Sequence, residues 1–179
     1  MVERETWYIL FVRSGMEENI LSFLQKEGYA CFIPKKEAIY RHAGRSEIVA
    51  KVLFPGYLFI TSDLSQGEFH SAMSMMRQKK SGIVRDLKYD NEGTSVLTEE
   101  EQDTLEHLLN EDKVLKKSTG MIENDTVIIL EGPLKGYESR IVHVDRHKRE
   151  AILSLQLCTR EVQVKVALEV IQKIQTSDS

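Results

Sequence analysis

The amino-acid sequence predicts an α+β layer followed by a small β-barrel, and three observations carry that reading. Aromatic and β-branched runs alternate with capped amphipathic segments over residues 1–110. From Asp125 onward the period drops to two, with turn residues every eight to twelve positions. Between the two regions, Thr98 to Thr119 is acidic and poorer in apolar residues than its neighbours.

Trp7 to Val12 joins aromatic and branched side chains in one run and reads as a strand. Ser14 stands three before Glu17, the spacing of a capping box, and Met16, Ile20, Phe23 and Leu24 then recur on one helical face up to Gly28. Tyr29 to Ile33, Glu37 to Tyr40 and Glu47 to Val52 are expected strands, the last two forming a hairpin whose tip, Arg41 to Ser46, is basic. Past Phe54-Pro55-Gly56, the run Tyr57 to Thr61 suits the middle of a sheet. Residues 65–79 read as helix and Ile83 to Leu87 as strand. Thr98 with Glu101 is a second capping box, opening a helix that carries Leu105, Leu108 and Leu109 on one face. Lys113 to Gly120 has no period and is expected to be a connector. Thr126–Leu130, Ser139–Val144, Ala151–Leu157 and Glu161–Val166 are the barrel strands, separated by Gly132-Pro133, Gly136 and the Arg146–Arg149 turn. The domains expected are 1–110, a linker over 111–121, and a barrel over 122–175.

The whole chain holds 24 Lys and Arg against 28 Asp and Glu, a net charge of −4, which argues against nucleic acid. Segment by segment the balance is different. Thr98 to Thr119 carries 7 acidic and 3 basic groups, so the remainder is balanced at 21 of each. Arg140 to Arg149 gathers four fixed cations and two histidines around a single acid. A basic patch of this kind is most often a solvated turn. An otherwise neutral-to-acidic barrel nevertheless has no need of four cations in ten residues.

No apolar run reaches the roughly 20 residues that span a bilayer, and the N-terminal segment is too charged and too β-like for a signal sequence. Cys31 and Cys158 are far apart and lack partners for a disulfide framework or a zinc site, so both are expected to be reduced, buried thiols in a cytoplasmic protein. Phosphate loops, nucleophile elbows and metal-binding His or Cys pairs are all missing, which points away from an enzyme, a metal or a cofactor.

Trp7-Tyr8 in the opening strand, Phe54-Pro55-Gly56-Tyr57 at a strand entry, and Gly132-Pro133-Leu134-Lys135-Gly136 in the barrel occur in the order found in the NusG family of transcription elongation factors, which the chain resembles over nearly its whole length. The resemblance implies an NGN-type N-terminal domain and a C-terminal KOW barrel. Where housekeeping members have Phe-Asn-Gly after the barrel turn, this chain has Tyr137-Glu138-Ser139. With the basic run that follows, this looks like the LoaP antiterminators, which recognise a nascent RNA hairpin.

Three surfaces follow from the resemblance. Trp7, Phe54, Pro55, Gly56 and Tyr57 would meet the clamp helices of the largest RNA polymerase subunit; taken alone, Phe54 and Tyr57 suit the core of a sheet equally well. His70, Ser71, Arg77, Lys79 and Lys80 would face the non-template DNA strand, although helix-end lysines also complement a helix dipole. Lys135, Arg140, His143, Arg146, His147, Lys148 and Arg149 would bind the RNA hairpin, since duplex RNA is read through phosphates and groove shape. The expected protein is a monomeric antitermination factor without membrane contact. The runner-up is a general NusG-type factor whose barrel recruits termination or ribosomal proteins. The acidic stretch is further expected either to hold the domains apart or to shield the basic patch, in which case deleting Glu99–Glu101 would raise RNA affinity.

Overall fold

Strand and helix patterns of the sequence are realised in a computed structural model that describes residues 4–86 and 96–177. The chain divides into two units. The first comprises Met1–Pro34, Phe54–Thr104 and Gln156–Arg160; the second comprises Lys35–Leu53, Leu105–Leu155 and Glu161–Ser179.

In the first unit, β1 (Thr6–Val12) leads into α1 (Glu17–Lys26) and β2 (Ala30–Phe32). The chain re-enters with β5 (Tyr57–Ser62), α2 (Gln66–Lys79) and β6 (Ile83–Asp86); β3 (Lys35–His42) and β4 (Arg45–Val52) belong to the second unit. The sheet order is β2-β5-β1-β6, with all three pairings antiparallel. Leu87 lies outside the described residues, so the expected end of β6 does too. Strand β1 is buried on nearly every residue, as the centre of a covered sheet must be. Its Trp7 packs edge-on to Phe32 at 4.9 Å, Phe32 stacks on Phe59, and Tyr8 stacks on Phe69 of α2 at 4.0 Å. Trp7, Tyr8, Phe59 and Phe69, with Ile20 and Leu24 of α1, are in the core, and Phe32 covers it half-buried.

The first capping box does not form. Helix α1 starts after Met16 with no side-chain cap, and the Glu17 carboxylate turns away to accept the amides of Gly15 at 2.8 Å and Gly56 at 2.9 Å. Two amides in neighbouring turns outcompete the single cap. The second box does form: Thr98 Oγ1 accepts the Glu101 amide and Glu101 accepts the Thr98 amide, opening α3 (Glu99–Leu108). A third, Ser65 with Glu68, starts α2.

The second unit contains the β3–β4 hairpin, whose eight cross-strand pairs run from Lys35↔Val52 to His42↔Arg45. Its parallel neighbour β7 (Val114–Leu115) pairs with Lys35 and Lys36. A five-stranded sheet accompanies it, in the order β10-β11-β12-β8-β9, from β8 (Ser118–Glu123), β9 (Thr126–Glu131), β10 (Ile141–Asp145), β11 (Glu150–Leu157) and β12 (Arg160–Ile174). The connector expected over 111–121 is therefore strand in part: β7 pairs with β3, far away in sequence, and β8 lies between the distant β12 and the adjacent β9. The expected strand at Ser139 starts later: Glu138–Arg140 is a 3-10 turn before β10. Strand β12 runs on past Val166 to Ile174 by pairing in parallel with β8. Gly132 sits at φ +108 with Ser118 so close that a Cβ would lie 2.5 Å from its hydroxyl, while Leu134, fully buried, donates its amide to that hydroxyl. The Gly-Pro-Leu turn is thus clamped to the start of β8.

Both thiols are free. Burial pushes Cys31 up from 9.0 to about 11; burial and then the Glu101 carboxylate push Cys158 up to about 12.

Removing the Glu17 carboxylate leaves the buried Gly56 amide without its partner, at roughly 1–3 kcal/mol; Glu17→Ala is expected to lower the urea midpoint accordingly, and an unchanged midpoint would contradict the linkage. Unfolded thiols lose their protons near pH 9 while the native ones hold them to about 11 and 12, so stability is expected to fall as pH rises through that window. Replacing both cysteines by alanine should flatten this decline in urea titrations at pH 8 and pH 10; an identical slope in the variant would contradict it.

Candidate functional site

Phe54 to Tyr57 close a turn in which the Phe54 carbonyl accepts the Tyr57 amide at 3.1 Å. Proline at the second position and glycine at φ +84 at the third are the composition of a type II turn. Gly56 is held from three sides. Its amide donates to Glu17, its carbonyl accepts the Val12 amide at 2.8 Å, and a Cβ there would come within 3.2 Å of the Val12 carbonyl oxygen.

The five residues expected to bind a clamp helix do not share one exposure. Trp7 and Phe54 are in the core, at 4% and 2% exposed, so their side chains are not a contact surface. Stacking of Phe54 on Tyr57 and its contact with Phe59 are what draw it inward. Pro55 is exposed and Tyr57 half-buried, with the half-buried Phe11 ring 5.7 Å from Tyr57 across the β1–β5 pairing. Phe11 and Glu17 join this site although no motif of the sequence marks them for it. The signal for Phe11 is an aromatic directly in register with Tyr57. Glu17 gives none, since its spacing from Ser14 mimics a cap.

Along α2, His70 and Arg77 are seven residues apart and share a face, about 10 Å from each other along the axis. Ser71 is exposed beside them. Lys79 instead pairs with Glu27 at 3.2 Å, and Lys80 lies 6.0 Å over the Phe23 ring. The two lysines therefore lean on α1.

In the second unit the seven expected RNA contacts do not lie together. Lys135 and Arg140 precede β10, where Arg140 covers the Tyr137 ring at 5.9 Å and Tyr137 packs on His107 at 5.0 Å. Arg146, His147 and Lys148 are exposed on the turn at the far end, six or more residues on and about 20 Å away for extended chain. His143 is exposed midway along the strand. The turn is built by Asp145, whose carboxylate accepts the Lys148 amide at 3.0 Å; that hydrogen bond is the main reason its pKa is lowered. Arg149, at φ +55, turns its guanidinium to the Ser46 hydroxyl of the β3–β4 hairpin at 3.4 Å.

The acidic stretch has a different use from shielding at one of its residues. Glu101 is buried, and its carboxylate accepts the amides of Cys158 at 3.0 Å and Thr159 at 2.7 Å within the first unit. Both residues have positive φ without being glycine, so Glu101 stabilises a strained turn.

Among the described residues, no helix is long and apolar enough to cross a membrane. The family described as transcription termination factor nusG matches residues 5–106. Among similar proteins is the transcription termination/antitermination protein NusG of Thermus thermophilus, 25% identical over 158 residues that cover 86% of both chains. The NusG of Bacillus subtilis is 20% identical and covers 95% of this chain and 99% of its own. A solved structure reported as "Domain interaction in Thermotoga maritima NusG" aligns over 93% of this chain and 94% of its own, with 18% identity and a TM-score of 0.42. The chain belongs to the NusG family, whose members are transcription factors that interact with RNA polymerase and are not enzymes.

Proposed function

We infer that this chain is a cytoplasmic, monomeric antitermination factor of the LoaP kind, with a polymerase-binding domain over 1–110 and a barrel over 122–175 that takes a nascent leader RNA hairpin. The observation that carries the RNA reading is the turn after β10, where Arg146, His147 and Lys148 stand exposed together in a chain whose overall charge is negative. Duplex RNA is bound through its phosphates and 2′-hydroxyls, and flexible cations on a protruding turn suit that chemistry. Recruitment of a termination or ribosomal protein by the barrel is less well supported. Tyr137, standing where housekeeping members have the phenylalanine of Phe-Asn-Gly, is half-buried between His107 and Arg140.

For the polymerase, exposed Pro55 and half-buried Tyr57 supply the apolar contact, with Phe11 beside them, while Phe54 and Gly56 fix the turn that presents them and Trp7 belongs to the core of the sheet behind. An apolar helix face laid on a few aromatic anchors is a common recognition mode. His70 and Ser71 form the edge of α2 that would meet the non-template strand; Arg77 lies on the same side with two guanidinium nitrogens buried, and Lys79 and Lys80 would have to leave α1 to join them.

Tyr57→Ala is expected to cost the complex with RNA polymerase about 2 kcal/mol, roughly thirty-fold, without loss of circular dichroism signal. Retention on immobilised polymerase measures it, and unchanged retention would remove Tyr57 from the interface. Gel shifts of the full chain with an RNA stem-loop should show affinity falling steeply with salt. The double variant Arg146→Ala, Lys148→Ala should bind at least ten-fold more weakly and reduce the salt slope by about two, one for each phosphate no longer neutralised. Equal binding by the variant would refute the assignment.

A further inference from the structure

Lys36 and Lys51 face each other directly across the β3–β4 hairpin. Like charges in that position repel and weaken a hairpin. A third lysine adds to them: Lys165 of β12 lines one cavity with Lys36 and Lys51, and its carbonyl accepts a hydrogen bond from the Lys36 ammonium. Burial, the largest influence, lowers the Lys36 pKa; the Glu150 carboxylate, next in size, raises it, and Lys51 and then Lys165 lower it again. The other carboxylate on the wall, Glu37, is already engaged by Lys116 at 3.2 Å. A neighbouring cavity, sharing Ile39 and Glu150 with the first, is lined by Arg41 of the hairpin and by Lys148 and Arg149 of the turn after β10. The hairpin tip and that turn are joined where Arg149 donates to Ser46, the cross-strand partner of Arg41. All of these residues belong to the second unit.

We propose that the β3–β4 hairpin and the turn after β10 form one basic groove that holds the phosphodiester backbone of a nucleic acid strand, with Lys36, Lys51 and Lys165 at one end and Arg41 and Lys148 at the other. Along extended strand, Lys36 to Arg41 spans about 17 Å, the axial length of about five nucleotides of one strand. Phosphates in the groove neutralise the repulsion that the protein alone leaves between facing lysines. Tyr40, 54% exposed on the groove wall with the Lys51 ammonium 5.7 Å over its ring, offers a face on which an unpaired base can stack. The groove rests on the RNA reading of the barrel turn and extends it: the hairpin becomes part of the ligand site.

The test uses the full chain and a fluorescein-labelled RNA stem-loop, with affinity measured by anisotropy from low to moderate salt. Arg41→Gln and Lys51→Gln, both on the hairpin, are each expected to weaken binding three- to ten-fold and to lower the slope of log K against log salt by about one. Lys51→Arg should restore the slope, which a purely structural role would not require. Wild-type binding by both glutamine variants, with weakened binding in the Arg146→Ala, Lys148→Ala protein, would overturn the groove and leave the turn as the RNA site. Failure of the parent chain to bind the RNA at low salt would overturn both. Competition by poly-L-glutamate as effective as unlabelled RNA would overturn the assignment to nucleic acid.

Discussion

One buried carboxylate sets the geometry of the first unit's most characteristic surface. Glu17 accepts the Gly56 amide from the base of α1, and the same glycine is closed against Val12 of β1. The turn therefore cannot move without breaking contacts to a helix and to the central strand. A side chain on its left-handed glycine would crowd the Val12 carbonyl, and the proline before it is exposed. Pro55 and Tyr57 are offered at the surface because Phe54 is locked inside. A flexible turn with the same residues would have to give up ordering entropy on binding; this one has already done so in folding.

The second unit uses charge where the first uses packing. Its cations are spread over the hairpin, β12 and the turn after β10, and no segment of sequence contains them all. Whole-chain charge conceals them, because the acidic residues of 98–119 outweigh them in the sum. Three of those acids stand in the first turn of α3, where they favour the helix dipole, and one of them is committed to the Cys158-Thr159 turn. The net acidity of the chain is thus largely a property of one helix and its surroundings.

Local patterns in the sequence are legible where the chain's own neighbours decide the structure. Strand β1, helix α2, the hairpin, the Thr98 capping box and the barrel's period of two all follow from short-range signals. Strand β7 is hidden, because its partner β3 lies about 80 residues away and a parallel ladder leaves no turn signal; β8 pairs in the same distant, parallel way with β12, although its other partner, β9, follows directly after the Asn124-Asp125 turn. Glu17 satisfies the local rule for a cap, while Gly56, 39 positions on, actually receives it. Of the candidate sites, the basic turn is visible as composition. The facing of Lys36 and Lys51, and their meeting with Lys165, emerges only from the strand register and the fold of the unit.

Coupling of a polymerase-bound protein to RNA through the turn after β10 is tested most directly by photo-crosslinking the full chain to nascent transcripts in elongating complexes and mapping the crosslinked peptides. RNA adducts are expected on the segment from Asp145 to Glu150 and on the β3–β4 hairpin. Adducts confined to the first unit, or transcripts that never crosslink to 145–150, would contradict it.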